Sequence, residues 1–258
     1  MEEYQLADKT IIISGAGSGI GKETAKYLAG YNANLILIGR NLDKLEITKK
    51  IIAESSSSSK VCVYECDISI NQSLDDCFLK IEKNFDSIYG LVNNAGINPS
   101  RDNLTDTNIT DWEKIINTNL SGTYLLTKKV IPLMIKNKMG SIVNISSIAG
   151  ILGMKKRFSY SVTKSALSGF TKSVSTDYAK FNIRSNCICP GYIKTSLTKD
   201  MLDSLNKEDL QNLIDKHPLG LGKEHFVAAA TKFLLSEEAQ WITGAIIPVD
   251  GGYSLGRD

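Results

Sequence analysis

Tyr160 and Lys164 stand four residues apart in Tyr160-Ser161-Val162-Thr163-Lys164. Four residues is one helical turn, so both side chains share a face. An ammonium beside a phenol favours the phenolate. Bringing a tyrosine from roughly 10 to about 7 represents about 4 kcal/mol and makes it a usable acid at neutral pH. The pair proves little alone, because ten tyrosines in a lysine-rich chain supply one by chance, and Tyr124 with Lys128 is a second. Context has to separate them.

The scaffold is legible as alternation. Short β-rich runs at residues 10–14, 35–39, 61–66, 88–92, 141–146, 183–189 and 245–249 predict seven strands. Stretches with apolar residues at helical spacing, such as 20–31, 111–136 and 160–180, predict helices between them. Strand, helix, strand repeated in this way reads as α/β: one doubly wound, Rossmann-type domain over residues 1–258, a seven-stranded parallel sheet with helices on both faces. Residues 192–221 form the one long stretch after the sixth strand that does not return straight to the sheet, the place for a substrate lid. The serine run at residues 55–59 reads as a surface loop.

Composition bounds the partners. With 42% hydrophobic and 22% charged residues, the 258-residue chain is ordinary globular material. Thirty basic against 28 acidic residues give a net charge of +2, which excludes nucleic acid or a membrane surface as the main partner. No apolar run approaches a membrane span, and Met1-Glu2-Glu3 is unlike a signal peptide, so a cytoplasmic protein is expected. Five cysteines without paired spacing argue against a disulfide framework or a zinc site, and no metal is expected. Cys187 and Cys189 read as core; His217 and His225 read as surface residues.

The first turn carries the phosphate chemistry. Gly15, Ser18, Gly19, Ile20 and Gly21 lie between the first strand and first helix, where glycines bring backbone N–H groups up to a pyrophosphate. The spacing Gly15-x-x-x-Gly19-x-Gly21 differs from G-x-G-x-x-G. At the end of the second strand the chain reads Ile38-Gly39-Arg40-Asn41, with no carboxylate for a ribose 2′-OH and a guanidinium suited to a 2′-phosphate. NADP is therefore expected over NAD. Asp67, followed by Ile68 at the end of the third strand, either accepts from the adenine amino group or caps the next helix.

Asn93-Asn94-Ala95-Gly96 after the fourth strand, Ser146-Ser147 after the fifth and Tyr160-x-x-x-Lys164 complete a pattern that resembles the short-chain dehydrogenase/reductases from Lys9 to Gly252. The resemblance implies a catalytic set of Asn119, holding a water of the proton relay; Ser147, orienting the carbonyl; Tyr160, donating the proton; and Lys164, lowering its pKa and binding the nicotinamide ribose. Ser147 precedes Tyr160 by thirteen residues, the spacing usual in that family, whereas Tyr124-Lys128 has no such serine upstream. It also implies cofactor contacts from Asn94, Ala95 and Gly96, and from Pro190, Gly191, Ile193 and Thr195 in the Pro190-Gly191-x-x-x-Thr195 segment. The ending from Gly244 to Gly252 resembles a region that builds subunit contacts, so a homotetramer is implied.

Within the family, the general resemblance is to 3-oxoacyl-carrier-protein reductases, through overall length, the stretch from Ser100 to Leu104 and the C-terminal ending. Sugar or polyol oxidation is the alternative, and a non-catalytic nucleotide-binding regulator is the alternative of another class. Departures are Ser14 for the usual Thr, Ser18 where many NADP-using members carry a basic residue, Thr176 where such reductases often carry Arg, and a loop after Gly96 lengthened around Pro99. Lys155-Lys156-Arg157, just ahead of Tyr160, reads first as a solvated loop; the alternative is that the three cations select an anionic substrate such as a phosphate, carboxylate or phosphopantetheine arm.

Overall fold

The computed structural model describes residues 6–55, 58–98, 103–195 and 198–256. Seven strands are present: β1 (Thr10–Ser14), β2 (Asn34–Gly39), β3 (Val61–Glu65), β4 (Gly90–Asn93), β5 (Gly140–Ile145), β6 (Ile183–Pro190) and β7 (Ile246–Val249). They form one sheet in the order β3-β2-β1-β4-β5-β6-β7, and every pairing is parallel. The helices α1 (Gly19–Ala29), α2 (Leu42–Ser55), α3 (Asn71–Asn84), α4 (Ile109–Ile116), α5 (Gly122–Asn137), α6 (Phe158–Tyr178), α7 (Lys199–Asp203), α8 (Lys207–Asp215) and α9 (Glu224–Leu235) lie between the strands. The chain winds outward from β1 to β3 and then returns to place β4 beside β1. That switch opens a crevice at the carboxyl ends of the strands.

Period-two alternation divides the core between the two faces. Ile11 and Ile13 of β1 are buried with Ala25 and Leu28 of α1, Leu45 and Ile52 of α2, and Val227 and Leu234 of α9. Ile12, with Ile36 and Ile38 of β2, is buried on the other side against Leu74, Phe78 and Ile81 of α3, Leu126 and Val130 of α5, and Val174 of α6. Each such side chain contributes roughly 1.5–3 kcal/mol relative to exposure, so a strand covered on both faces reads as an unbroken Ile-Ile-Ile run.

Strand ends fall within two residues of their expected places, the largest difference being β4, which starts at Gly90. The single helix expected over 111–136 is three pieces: α4, one π turn at Asn117–Ser121, and α5. Such turns widen a helix by one residue and mark functional positions; this one carries Asn119. Residues 192–221 hold α7 and α8, tied back at their ends by Gly222 N–H to the Tyr192 carbonyl (3.0 Å) and Leu219 N–H to the Gly251 carbonyl (3.1 Å).

His217 is a correction, since it is buried rather than at the surface. Its Nδ1 donates to the Leu213 carbonyl at 2.8 Å and its Nε2 accepts from Tyr192 N–H at 3.3 Å, the neutral tautomer that satisfies both partners. Its ring lies 5.8 Å from that of Tyr192 and 4.7 Å from that of Tyr253. Tyr192 and Tyr253 are remote from it in sequence, which is why local pattern missed it. His225 is exposed and Cys187 and Cys189 are buried together, as expected. Met1-Glu2-Glu3, Ser56, Ser57 and residues 99–102, with Pro99 and most of the stretch that begins at Ser100, lie outside the described residues. Among those described, no helix is long and apolar enough to cross a membrane.

Candidate active site

The end of β5 and the first turns of α6 bring Ser147, Tyr160 and Lys164 together. Lys164 is 4% exposed, and its Nζ donates to the Ile145 carbonyl at 2.8 Å. Burial disfavours the ammonium and lowers Lys164 to about 8. Nζ lies 5.7 Å from the centre of the Tyr160 ring. Tyr160 is half-buried by area but closely surrounded, and desolvation raises its phenol above the ordinary value, with the Ser147 hydroxyl and the Arg157 charge pulling the other way. The lowered tyrosine expected from the sequence is therefore absent, because burial of the phenol outweighs the charge and hydrogen bond beside it.

Tyr124 and Lys128 show how little spacing alone determines. Lys128 Nζ also lies 5.7 Å from its tyrosine ring, yet Tyr124 is 48% exposed on α5. Ser147 follows β5 in extended conformation and accepts from Ala149 N–H at 3.1 Å, which fixes the side chain at the start of a short turn. Asn119 is a tie rather than an open site. Its Oδ1 accepts from Ile97 N–H (2.8 Å), and its Nδ2 donates to the Ile97 carbonyl (2.9 Å) and to Thr163 Oγ1 (3.2 Å). A Cβ on Gly96 would stand 3.4 Å from Asn119 Oδ1 and 3.5 Å from Lys164 Nζ, so the glycine keeps the space between them open.

Apart from Asn119 and Gly21, every residue assigned from the sequence to catalysis or cofactor binding lines one cavity of about 930 Å³. Gly21 is instead the close-packing glycine: a Cβ there would meet Asn94 Nδ2 and the Gly15 carbonyl at 2.4 Å. Gly15 and Gly19 adopt φ of +66° and +50°, which turns the loop under the start of α1. Ser18 makes no side-chain cap bond and the first turn of α1 holds no acidic residue, so its N–H groups and partial positive charge are available to an anion. Ser14 performs the bracing of that turn: its Oγ accepts from Asn94 and Ala95 N–H, both at 3.0 Å. This loop, the gap at Gly96 and the length of the cavity fit a nicotinamide dinucleotide.

Arg40 is exposed at one end of the cavity, and Lys44, which the sequence reading did not single out, lines the same end one helical turn later. Asn41 caps α2 by accepting from Lys44 N–H at 2.9 Å. Asp67 does not cap α3, whose N-cap is Ile70; it braces a turn through Ser69 N–H (3.0 Å) and Ser69 Oγ (2.6 Å). Gly191 passes so close to Asp250 that a Cβ would lie 2.8 Å from its Cα, and Thr195 N–H donates to Thr198 Oγ1 at 2.9 Å. Of the three neighbouring cations, Lys155 and Lys156 are exposed and away from this cavity; Arg157 is half-buried and lines it.

A family profile described as enoyl-(acyl carrier protein) reductase matches residues 15–254. The 3-oxoacyl-(acyl-carrier-protein) reductase of Aquifex aeolicus is 36% identical over 252 residues, 97% of this chain and 99% of that protein. The chain belongs to the short-chain dehydrogenase/reductase family. The bovine (Bos taurus) 3-oxoacyl-(acyl-carrier-protein) reductase is 35% identical over 96% of this chain and 99% of its own. Among solved structures, levodione reductase superposes with a TM-score of 0.92 at 29% identity, covering 98% of this chain and 100% of that one. The aldohexose dehydrogenase of Thermoplasma acidophilum does so at 0.85 and 33%, covering 98% and 96%. As a short-chain dehydrogenase/reductase, the protein is an oxidoreductase acting on CH–OH and carbonyl groups with a nicotinamide cofactor.

The buried lysine makes its own test. Lys164 loses its proton at about 8 in the fold and at its usual 10.5 in the unfolded chain. Between those values the unfolded state binds the extra proton, so ligand-free stability rises with pH across that window and is lowest below it. Lys164→Met removes the charge. In urea titrations the variant should be more stable than its parent at pH 7 by roughly 1–3 kcal/mol, after the lost Ile145 bond is counted. The gap should close as pH approaches 10.5; a gap constant with pH contradicts the buried, depressed ammonium.

Proposed function

We propose that the protein is an NADPH-dependent reductase of a 3-oxoacyl-type carbonyl, with Ser147, Tyr160 and Lys164 acting at the reaction centre and Asn119 positioning them. The single observation that carries this reading is that Ser147, Tyr160 and the buried Lys164 line the same dinucleotide-sized cavity as the glycine loop at the start of α1. The bound cofactor supplies hydride to the carbonyl carbon. Ser147 and Tyr160 place hydroxyl donors where negative charge grows on the carbonyl oxygen, and Tyr160 gives up its proton there. Lys164 offsets the phenolate that remains, and the gap at Gly96 gives its Nζ access to ribose hydroxyls. Asn119 fixes that gap through Ile97 and joins it to α6 through Thr163. Tyr160→Phe deletes one hydroxyl and should lower kcat by at least about 100-fold while NADPH binding, read by fluorescence titration, persists. Survival at full rate would sink the mechanism.

For the cofactor, Arg40 and Lys44 support NADPH over NADH, and Asp67 and Ile68 support the adenine. A solved NADPH-dependent reductase of bacilysin biosynthesis, 29% identical with a TM-score of 0.91, agrees with that choice. Replacing Arg40 and Lys44 by Ser should raise KM for NADPH by about 10–100-fold and leave KM for NADH nearly unchanged, since only the 2′-phosphate contact is lost. A parallel rise for both cofactors contradicts the assignment.

The 3-oxoacyl reading rests on the identity to reductases of that name over nearly the whole chain. Thr176 gives no cation for an acidic carrier protein, its Oγ1 being turned back to the Lys172 carbonyl at 3.0 Å. The 33% identity to an aldohexose dehydrogenase keeps sugar oxidation as the second reading. A homotetramer accords with β7 as an edge strand and with Phe226, Phe233 and Trp241 exposed on and after α9. Sedimentation velocity at micromolar concentration should return about four times the chain mass; a monomer there removes the assembly.

A further inference from the structure

Arg157 stands apart from the two lysines before it. Lys156 adopts φ of +55°, and the turn it makes leaves Lys155 and Lys156 exposed while Arg157 lines the cavity that holds Ser147, Tyr160 and Lys164. The segment is pinned where it enters α6. The Arg157 carbonyl accepts from Ser161 N–H at 2.7 Å, and Phe158 stacks on Trp112 of α4 with centroids 5.7 Å apart. Among the described residues no acidic side chain lies within ion-pair distance of the guanidinium, although Asp200 of α7 lines the same cavity. The other cation at this end, Lys164, is buried and already gives one N–H to the Ile145 carbonyl. A half-buried arginine without a counter-ion among the described residues, lining the cavity beside Tyr160, can pair with an anion that enters from outside.

We propose that Arg157 receives a carboxylate of the substrate, so that the molecule reduced is a short 3-oxo acid as its free anion rather than as a thioester. This rests on the reading of the site as a 3-oxoacyl-type reductase and adds what occupies the acyl end. Hydride from the reduced nicotinamide and the proton of Tyr160 convert the 3-oxo acid to the 3-hydroxy acid, leaving oxidised cofactor and a phenolate that regains its proton from solvent. The carboxylate is unchanged throughout. Its task is to hold the reacting carbonyl against Ser147 and Tyr160 by a paired hydrogen bond to the guanidinium.

The test compares 3-oxobutanoate, its methyl ester and its N-acetylcysteamine thioester with NADPH, in the parent protein and in Arg157→Gln, Arg157→Lys and the double variant Lys155→Gln/Lys156→Gln. The acid should be the best substrate. Arg157→Gln should raise KM for the acid by about 10–100-fold with kcat and both esters little changed, Arg157→Lys should recover part of it, and the double lysine variant should match the parent. An ester or thioester used as well as the acid, or an Arg157→Gln loss equal for all three, overturns the proposal. An equal loss would tie Arg157 to Asp200 or Tyr160 instead. Turnover of none of the three would sink the 3-oxoacyl reading but not decide Arg157, which a binding measurement then does. In a Trp241→Phe background, Trp112 beside Phe158 reports titration with 3-hydroxybutanoate. Saturable binding lost in Arg157→Gln supports the carboxylate site; binding that is absent, or indifferent to Arg157, removes it.

Discussion

The bond from the Lys164 ammonium to the Ile145 carbonyl is the constraint around which the site is arranged. A cation with 4% exposure has to be answered by polar atoms, and the carbonyl at the end of β5 answers it at 2.8 Å. That bond joins the carboxyl end of a central strand to the second turn of α6. Ser146 Oγ strengthens the same junction by donating to the Lys164 carbonyl at 2.7 Å. Tyr160, one turn earlier on α6, and Ser147, two residues after β5, have little freedom once the joint is made. The lysine thus positions the neighbouring hydroxyls as well as carrying charge.

Behind the joint runs a ladder of buried amides and hydroxyls. Asn93 Nδ2 at the end of β4 donates to Asn144 Oδ1 on β5 (2.8 Å) and to Thr127 Oγ1 on α5 (3.0 Å). Asn144 Nδ2 in turn reaches Thr171 Oγ1 on α6 at 2.9 Å. An apolar core would tolerate a slip of α6 along the sheet; a chain of directional bonds does not. The π turn at Asn119 belongs to the same system. Widening the helix by one residue lets the asparagine bond both backbone groups of Ile97 while α4 and α5 continue past it, and so the loop after β4 is held at a fixed distance from Lys164.

Much of this was legible because parallel strands buried on both faces have to read as apolar runs, and because a phosphate loop has to contain glycine. What the sequence could not convey is environment. Tyr124-Lys128 and Tyr160-Lys164 have the same spacing and the same 5.7 Å ring distance; the serine upstream separates them in sequence, and burial separates them in the fold. The same limit explains the phenol: spacing implies a cation next to a tyrosine, but desolvation reverses the sign of the shift. His217 was misplaced for a related reason, as its Tyr192 and Tyr253 neighbours are assembled only by the fold. Asn119 falls in a π turn rather than in the continuous helix expected, since a helical period cannot reveal such a turn. Lys44 was missed because it lies in the first turn of α2, beyond the strand end where Arg40 was sought.

Charge along the cavity follows from these placements. A net charge of +2 gives the protein no strong overall field, so attraction for anions has to be local. Arg40 and Lys44 line the cavity from exposed positions, where a charge acts in high dielectric. In the middle the positive charge is partial and rigid, being the N–H groups at the start of α1, where Ser18 caps nothing. At the reacting end the cations are recessed, and there each must have a separate task because two free charges in so small a space would repel each other. Lys164 is committed to the backbone and the phenol, which leaves Arg157 as the group able to bind an external anion. The gradation from exposed side chains through backbone dipoles to buried side chains matches increasing demands on position: loosest at the adenosine end, strictest at the carbonyl, where a misplacement of an ångström costs rate rather than affinity.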